Sequence, residues 1–458
     1  MIAIKNPATN EIFAFVPNSG RKEAETAVAA AYEAFPEWSG KTAYERSALL
    51  MKWHQLIEEE KEELAVLMTR EQGKPVKEAI GEITYANNFV SWYAEEGKRM
   101  YGQTIPASHQ SKRILVQKQP VGVIAAITPW NFPAAMITRK VAPALASGCT
   151  AVVKPAEQTP LTAMKLAELA QKAGIPKGVF QVVTGDPVEI GEAWMQDTRV
   201  RKISFTGSTE IGKLLMRKAA DTVKKVSLEL GGHAPFIVMA DANMDKAIEG
   251  LLASKFRNAG QTCICTNRIY VEESCADVFQ RKFVEAVSKL RVGNGLDNQT
   301  DIGPLIDQPA LEKVKLHIED AIARGGSLAF GGSIVEDDNG GCFMEPTVIT
   351  HASDDMLCMR EETFGPLAPI AVFQTVEEVI KRANDTPYGL AAYVYTENLS
   401  QAIQISEQLQ YGIIGLNDGL PSVAQAPFGG WKQSGLGREG GHYGIEEYVE
   451  IKYISISL

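Results

Sequence analysis

Apolar residues recur along this chain at two different spacings, and the change between them divides the sequence. In the first hundred residues they return at helical intervals, as at Ala24, Ala27, Val28 and Ala31 and through the longer stretch Tyr44–Thr69. Such spacing puts the apolar side chains on one face of an amphipathic helix. The first part of the chain is therefore predicted to be mainly helical.

From Val121 onward, short apolar runs alternate with helical stretches. The strand-like runs are Val121–Ala126, Ala151–Lys154, Val179–Val183, Ile203–Phe205 and Val226–Leu230, and the first three lack a polar residue at every second position. Strands of this kind, separated by helices, are typical of a parallel sheet that is buried on both faces. The pattern predicts a doubly wound α/β domain, in which ligands bind at the carboxyl ends of the strands.

A second α/β stretch begins near Phe236 and continues to about Gly430, and the pair Gly231-Gly232 is a plausible hinge before it. Two further segments, Gln103–Lys118 and Tyr448–Leu458, have the character of β-strands. An isolated ribbon is only marginally stable. Each segment is therefore expected to pair with another part of the protein.

Composition narrows the class of protein. The chain has 458 residues, of which 45% are hydrophobic and 22% charged, so more than one folded core is expected. A formal charge of −10 without a long basic run disfavours nucleic-acid binding. No apolar run approaches the ~18–20 residues of a membrane span, and no secretory leader is apparent. Six scattered cysteines do not form a disulfide framework. A cytoplasmic, reduced protein is expected.

The segment from Phe256 to Arg268 contains the most informative cysteine. Cys263 lies in a loop of Asn, Gly, Gln and Thr, with Arg257 close in sequence. A lone cysteine is usually an inert packing residue. Polar and cationic surroundings, in contrast, favour the thiolate near neutral pH. We therefore expect Cys263 to be a nucleophile.

Two glycine-rich motifs resemble nucleotide-binding loops, and only the first is interpreted as a nucleotide contact. Gly207-Ser-Thr-Glu-Ile-Gly-Lys-Leu214 lacks the final hydroxyl of a P-loop, so it is interpreted as a strand-to-helix turn that contacts a phosphate. Gly435-Leu-Gly-Arg-Glu-Gly440 matches the dinucleotide fingerprint, but no strand precedes it and no acidic residue follows about 20 positions later. It is predicted to be a tight loop.

These motifs, with Pro129-Trp-Asn131 and Leu228-Glu-Leu-Gly-Gly232, resemble the NAD(P)-dependent aldehyde dehydrogenase superfamily over essentially the whole chain. The resemblance implies an α/β protein with a Rossmann-type cofactor domain, an α/β catalytic domain and a small β oligomerisation flap. The expected bounds are 1–101 and 121–231 for the cofactor domain, 232–430 for the catalytic domain, and 102–120 and 431–458 for flap and tail. A homodimer or homotetramer follows from the flap.

The resemblance also implies a division of the chemistry. Cys263 attacks an aldehyde, Asn131 and the Cys263 N–H stabilise the oxyanion, and Glu229 activates water to hydrolyse the thioester. Lys140 matches a residue that supports the oxyanion site. The cofactor residues are Trp130, Lys154, Glu157, Gly207, Ser208, Gly212, Glu362 and Phe364. Glu157 favours NAD over NADP, because a carboxylate there accepts from both ribose hydroxyls and repels a 2′-phosphate.

The substrate follows from two arginines. Arg139 and Arg257 lie beside motifs that must converge on the active site, and with Ser422 they resemble the carboxylate clamp of the succinate-semialdehyde dehydrogenase branch. Succinate semialdehyde is thus the expected substrate. Glutarate semialdehyde is an alternative, because a single CH₂ discriminates only modestly. Pro421 and Val423 depart from the serine-rich segment of that branch, in which Ser422 holds the matching position.

Two alternative functions predict the loss of a residue that this chain retains. A CoA-dependent acylating enzyme would not need Glu229, and a non-catalytic relative would have lost Cys263; both residues are present. The six histidines are far apart, and none has a second ligand at zinc spacing, so no metal site is expected.

Cys265, two residues beyond Cys263, is either a packing residue or its partner in a reversible disulfide, as in the redox-sensitive loop of the same branch.

Overall fold

The computed structural model describes residues 1–336 and 340–458. The strands, in chain order, are β1 Ile2–Lys5, β2 Ile12–Val16, β3 Gln103–Ile105, β4 Lys112–Pro120, β5 Val123–Ile127, β6 Thr150–Lys154, β7 Phe180–Val182, β8 Val200–Thr206, β9 Lys225–Glu229, β10 Ala234–Val238, β11 Thr266–Glu272, β12 Ser327–Phe330, β13 Ile334–Val335, β14 Phe343–Met344, β15 Thr347–Thr350, β16 Leu367–Phe373, β17 Ala391–Tyr395, β18 Ile413–Leu416, β19 Gly435–Leu436 and β20 Val449–Ser457.

The helices, in the same order, are α1 Arg21–Gly40, α2 Ala43–Glu59, α3 Lys61–Gln72, α4 Val76–Glu96, α5 Ala135–Ser147, α6 Pro160–Lys172, α7 Pro187–Gln196, α8 Thr209–Ala219, α9 Met244–Phe256, α10 Ala276–Val287, α11 Gln308–Ala323, α12 Leu357–Arg360, α13 Val376–Asn384, α14 Leu399–Gln408 and α15 Gly441–Glu446. Among the described residues, no helix combines the length and apolar character needed to cross a membrane.

A six-stranded sheet, in the order β19-β9-β8-β5-β6-β7, forms the first unit and is parallel except for β19. One face packs against α1, α7 and α8, and the other against α2 to α6. Because both faces are covered, the central strands β5 and β6 are apolar along nearly their whole length rather than alternating. The predicted doubly wound domain is confirmed.

The register of this sheet brings the candidate residues to one edge. Ile127 at the end of β5 lies opposite Lys154 of β6 and Phe205 of β8. Thr206 of β8 lies opposite Glu229, the last residue of β9. The segments that follow these strands therefore emerge together at the carboxyl edge, where doubly wound sheets bind ligands.

The second unit has a seven-stranded sheet in the order β12-β15-β16-β11-β10-β17-β18, parallel except for the β12–β15 pair. Its core is continuous across the strands and helices α9 to α14. The loop that contains Cys263 connects the end of α9 to the start of β11.

The two β-rich segments pair with each other. Strand β20 runs antiparallel to β4 from Val449 opposite Pro120 to Ser457 opposite Lys112, and β3 adds to the other side of β4. The residues just before β20 do not belong to this ribbon, because β19 joins the six-stranded sheet beside β9. Part of the segment predicted to be flap and tail, 431–458, thus lies at the edge of the first sheet.

Candidate active site

A strained turn positions the cysteine. Asn258 and Ala259 both have φ near 54°, in the left-handed region that is costly for residues other than glycine. The side-chain amide of Asn258 donates to the carbonyl oxygens of Asn131 at 3.0 Å and Gln261 at 3.1 Å. These bonds stabilise the turn, and Cys263 follows it at the junction of two cavities, both of which it lines.

The electrostatics of Cys263 differ from the sequence expectation. Burial raises the pKa of its thiol to about 12, and the carboxylates Glu362 and Glu229 act in the same direction. Arg139 and Arg257 lower it without outweighing the burial. The polar loop alone therefore does not produce a thiolate near neutral pH, so the proton must pass to a base when the sulfur reacts.

Asn131 is fixed from several directions. Its side-chain amide donates to the Gln261 carbonyl at 3.0 Å, and its own carbonyl accepts from the Lys74 ammonium at 2.8 Å. Lys74 forms a buried ion pair with Glu82, whose other oxygen accepts from the N–H of Ala134 at 2.9 Å. This network anchors the residue to α4 and α5. An amide donor held so firmly beside Cys263 suits an oxyanion site.

Glu229 is buried at the end of β9, but it lines neither cavity that Cys263 lines. Its Oε2 atom has no hydrogen-bond partner among the described residues. Burial and the nearby charge of Glu439 raise the pKa of Glu229 well above its usual range, against the opposing effect of Arg139 and Lys140. The carboxyl group must turn toward the sulfur to act on it, and its raised pKa suits a general base.

Lys140 lies behind the cavities rather than at them. Its ammonium group donates to the Thr206 hydroxyl at 2.5 Å and forms an ion pair with Glu439. Arg139 pairs with the other oxygen of Glu439 at 2.5 Å. Burial raises the pKa of Glu439, but the two cations outweigh it and the net shift is downward. Lys140 thus supports the site through Glu439 and does not contact the predicted oxyanion position.

One of the two cavities, of about 310 Å³, extends from Cys263 to the carboxyl edge of the first sheet. Trp130 and Phe364 form one end with ring planes at 90° and centroids 5.5 Å apart. Ser208 lies at the N-terminus of α8 and accepts from the Ile211 N–H. Glu362 accepts from the Gly232 N–H at 3.0 Å, and burial raises its pKa to about 7.

These groups fit an extended nucleotide. The N-terminus of α8 suits a phosphate, the Glu362 carboxylate suits ribose hydroxyls, and the aromatic pair suits a nicotinamide ring. A Cβ atom at Gly207 would lie 2.4 Å from the Phe205 ring, so the turn requires glycine. Gly212 serves packing instead, because a Cβ there would lie 2.3 Å from Leu230 and α8 could not approach β9.

Lys154 and Glu157 lie apart from that cavity. The buried ammonium of Lys154 pairs with the Glu157 carboxylate and also donates to the Pro155 carbonyl at 3.2 Å. Glu157 lines a separate polar cavity of about 560 Å³, which does not include Cys263, together with Gln158 and Asp307. The pair is thus at the carboxyl edge of β6, as expected, with the carboxylate partly neutralised by its own lysine.

The other cavity at Cys263, of about 250 Å³, brings the three predicted substrate residues together. Three polar atoms of these residues are buried and have no hydrogen-bond partner among the described residues: Arg139 Nη2, Arg257 Nε and Ser422 Oγ. Arg139 packs over the Phe428 ring at 4.0 Å and Arg257 over the Phe132 ring at 5.3 Å. Buried donors left unpaired are costly, so the cavity is suited to an anion.

Three residues at the site were missed by sequence reasoning. Glu439 lies in the predicted tight loop Gly435–Gly440, and Lys74 lies in the short connection between α3 and α4. Lys313 lines the nucleotide-shaped cavity and donates to the Glu362 carbonyl at 2.6 Å. Glu439 and Lys313 are distant in sequence from the residues they contact, and Lys74 reaches the site through the carbonyl of Asn131, 57 positions away, so no local signal identified them.

A nucleotide-shaped cavity and an anion-suited cavity that meet at a cysteine define a thiol-dependent oxidoreductase. The chain belongs to the aldehyde dehydrogenase family, whose sequence pattern matches residues 1–454. It is 55% identical to the NADP⁺-dependent succinate-semialdehyde dehydrogenase GabD of Escherichia coli, over 100% of this chain and 94% of that protein.

The chain is also similar to a relative that is named for a different substrate and to a solved structure. The glutarate-semialdehyde dehydrogenase of Pseudomonas putida is 54% identical, over 100% of this chain and 94% of the relative. The crystal structure of an aldehyde dehydrogenase from Brucella melitensis biovar abortus has a TM-score of 0.98 at 55% identity, covering 100% of this chain and 94% of that one. The predicted family and fold class are confirmed.

Proposed function

We propose that the protein oxidises succinate semialdehyde to succinate with NAD(P)⁺ as hydride acceptor. The observation that supports this substrate is the set of unpaired donors on Arg139, Arg257 and Ser422, enclosed with Cys263 in one cavity. A carboxylate at the far end of a short aldehyde pairs with these donors while the carbonyl reaches the sulfur. The E. coli relative GabD is named for the same substrate.

The residues divide the reaction between them. The Cys263 sulfur attacks the carbonyl carbon, and the Asn131 amide with the Cys263 N–H holds the resulting oxyanion. The chemistry that NAD(P)⁺ supplies here is acceptance of hydride from the adduct, which leaves a thioester on the sulfur. Glu229, in its ionised form, then removes a proton from the water that hydrolyses the thioester. Glu362 and Ser208 hold the ribose and phosphate.

We propose NAD as the preferred cofactor, with NADP as the alternative. The Glu157 carboxylate at the end of β6 accepts from ribose hydroxyls and disfavours a 2′-phosphate. Its ion pair with Lys154 reduces that repulsion. The preference is therefore expected to be moderate, and the E. coli relative with NADP⁺ in its name is 55% identical to this chain.

The test is a panel of kcat/KM values for succinate semialdehyde, glutarate semialdehyde and butanal, each with NAD and NADP and without CoA. Succinate semialdehyde should exceed butanal by at least about a hundredfold, because the uncharged aldehyde leaves the buried donors unpaired. Equal values for the two would contradict the proposed substrate. A higher value for glutarate semialdehyde would assign the function named for the P. putida relative.

The ribbon supports a second proposal, a homodimer or homotetramer. Ile451 and Tyr453 on β20 are 72% and 61% exposed, which is unusual for large apolar side chains in one strand. A second copy would cover them.

We also propose a cytoplasmic location, in keeping with six cysteines that are all free.

We further propose that Cys265 protects Cys263 through a reversible disulfide. Cys265 is buried, and the Lys255 ammonium donates to its sulfur at 3.3 Å. Burial raises the pKa of the Cys265 thiol, and Lys255 opposes this. Once oxidant converts Cys263 to a sulfenic acid, the loop must turn Cys265 away from Lys255 so that its sulfur displaces water and forms the S–S bond.

The expected result is peroxide inactivation that dithiothreitol reverses. In Cys265→Ala, basal activity should persist, but recovery should fall with exposure time as Cys263 proceeds to the sulfinic acid. The measurement is residual activity after dithiothreitol, with mass spectrometry of the Cys263 peptide. Full recovery of the variant after the same exposure would show that Cys265 is only a packing residue.

A further inference from the structure

The substrate cavity contains a fourth polar group besides Arg139, Arg257 and Ser422. Tyr85 projects from α4 into this cavity, and its hydroxyl oxygen is shut off from solvent. Within residues 1–336 and 340–458 the hydroxyl has no hydrogen-bond partner. A buried hydroxyl without a partner is rare because it gives up its bonds to water. The oxygen is therefore placed to bond to something that enters the cavity.

The surroundings of Tyr85 identify the chemistry of that group. Burial raises the pKa of the phenol, while the guanidinium groups of Arg139 and Arg257 and the neighbouring Ser422 hydroxyl lower it; the Tyr85 and Ser422 hydroxyls are adjacent, but their positions do not meet hydrogen-bond geometry. All three substrate residues therefore lie near the phenol oxygen. The ring itself is held edge-on against Phe89, with centroids 5.0 Å apart. Its direction is fixed by packing before any ligand arrives.

The number of donors matches one ligand group. An ionised carboxylate has two oxygens with about four lone-pair sites and accepts only. The cavity offers four unpaired donors: Arg139 Nη2, Arg257 Nε, Ser422 Oγ and Tyr85 Oη. The phenol, like the serine hydroxyl, is a donor that adds no charge, so it contributes through geometry rather than through attraction at long range.

A second tyrosine on the same helix shows the contrast. The Tyr93 hydroxyl also lacks a partner, but Tyr93 does not line the cavity. A Cβ atom at Gly444 would lie 2.0 Å from that oxygen, so the hydroxyl is packed against backbone. Of these two tyrosine hydroxyls, that of Tyr85 has both an unpaired donor and space in front of it.

We propose that Tyr85 is a specificity-determining residue whose hydroxyl donates a hydrogen bond to the distal carboxylate of the aldehyde. The inference rests on the proposed function, because the carboxylate is the group that Arg139, Arg257 and Ser422 bind. It extends that function by assigning a residue on α4 to substrate selection. The two arginines attract the carboxylate by charge, and the phenol and serine hydroxyls donate to the remaining acceptor sites on its two oxygens.

Removal of the hydroxyl in Tyr85→Phe should raise KM for succinate semialdehyde about tenfold and leave kcat nearly unchanged, because the lost bond holds substrate and transition state equally. KM for butanal should not change. Tyr93→Phe is the matched control, which removes an unpaired buried hydroxyl from the same helix and should leave both KM values as they are. Succinate affinity by calorimetry should fall about tenfold in Tyr85→Phe alone.

The outcomes separate this inference from the proposed function. If the parent protein does not prefer succinate semialdehyde to butanal, the proposed function fails and the assignment of Tyr85 fails with it. If the parent shows that preference but Tyr85→Phe changes neither KM nor succinate affinity, only the assignment of Tyr85 is wrong. Equal losses on both aldehydes with unchanged succinate affinity would show a structural role for the phenol.

Discussion

Glu229→Gln is expected to complete one turnover and then stall. Its first product, NADH, should appear in a burst equal to the enzyme concentration, because hydride leaves the Cys263 adduct before water is needed. Hydrolysis of the thioester should then be slower by about a hundredfold or more, the usual contribution of a general base. Stopped-flow absorbance of NADH with succinate semialdehyde gives both phases.

Cys263→Ala is the matched control. It should show neither burst nor steady-state turnover, yet bind NAD with parental affinity, because Ser208 and Glu362 are unchanged. If Glu229→Gln loses the burst and the steady state in equal measure, Glu229 acts before the thioester forms. The structure makes that alternative meaningful, because the thiol of Cys263 must release its proton and Glu229 is a nearby acceptor.

The pH dependence follows from the raised pKa of Glu229. The carboxyl group acts as a base only after it has lost its proton, so deacylation should increase with pH until Glu229 is fully ionised. Because burial and Glu439 shift that pKa upward, the increase should occur above the usual range of a glutamate. The slow phase of Glu229→Gln should lack this dependence.

The fold was predictable because its determinants are local. The strands β5 and β6 appear in the sequence as nearly continuous apolar runs, β8 and β9 as shorter runs interrupted by polar residues, and the helices between them as a 3.6-residue period. Right-handed crossovers then leave few topologies. The carboxyl edge follows from parallel pairing, so Asn131, Lys154 and Ser208 could be assigned to one edge before any coordinates.

The electrostatics of the site were not predictable in this way. Glu439 is 299 positions from Lys140 in sequence, and its loop shows no signal that it is buried between two cations. Lys140 was predicted by resemblance to support the oxyanion site, and the structure shows that its contacts are Glu439 and Thr206. Likewise the polar loop around Cys263 suggested a thiolate, but the pKa depends on burial, which appears only after folding. Long-range pairing and desolvation are tertiary properties.

The two arginines in the substrate cavity also differ in a way that only the structure shows. Arg139 is tied to Glu439 at 2.5 Å, so its removal leaves a buried carboxylate with one cation fewer, beside Glu229. Loss of one partner of a buried ion pair is strongly destabilising. Arg139→Ala should therefore impair both charged and uncharged aldehydes. Arg257 forms no such pair within the described part of the chain and gives the cleaner test.

Arg257→Ala should raise KM for succinate semialdehyde about tenfold to a hundredfold, because a charged hydrogen bond in a desolvated site contributes ~1.5–3 kcal/mol. KM for butanal should change by less than about twofold, since that aldehyde has no carboxylate to lose. The measurement is steady-state kinetics with both aldehydes at saturating NAD, with thermal unfolding to show that the variant is folded. Equal increases for the two substrates would make Arg257 a structural residue that stabilises the Cys263 loop, and the charge selectivity of the cavity would then have to come from Arg139 and Ser422.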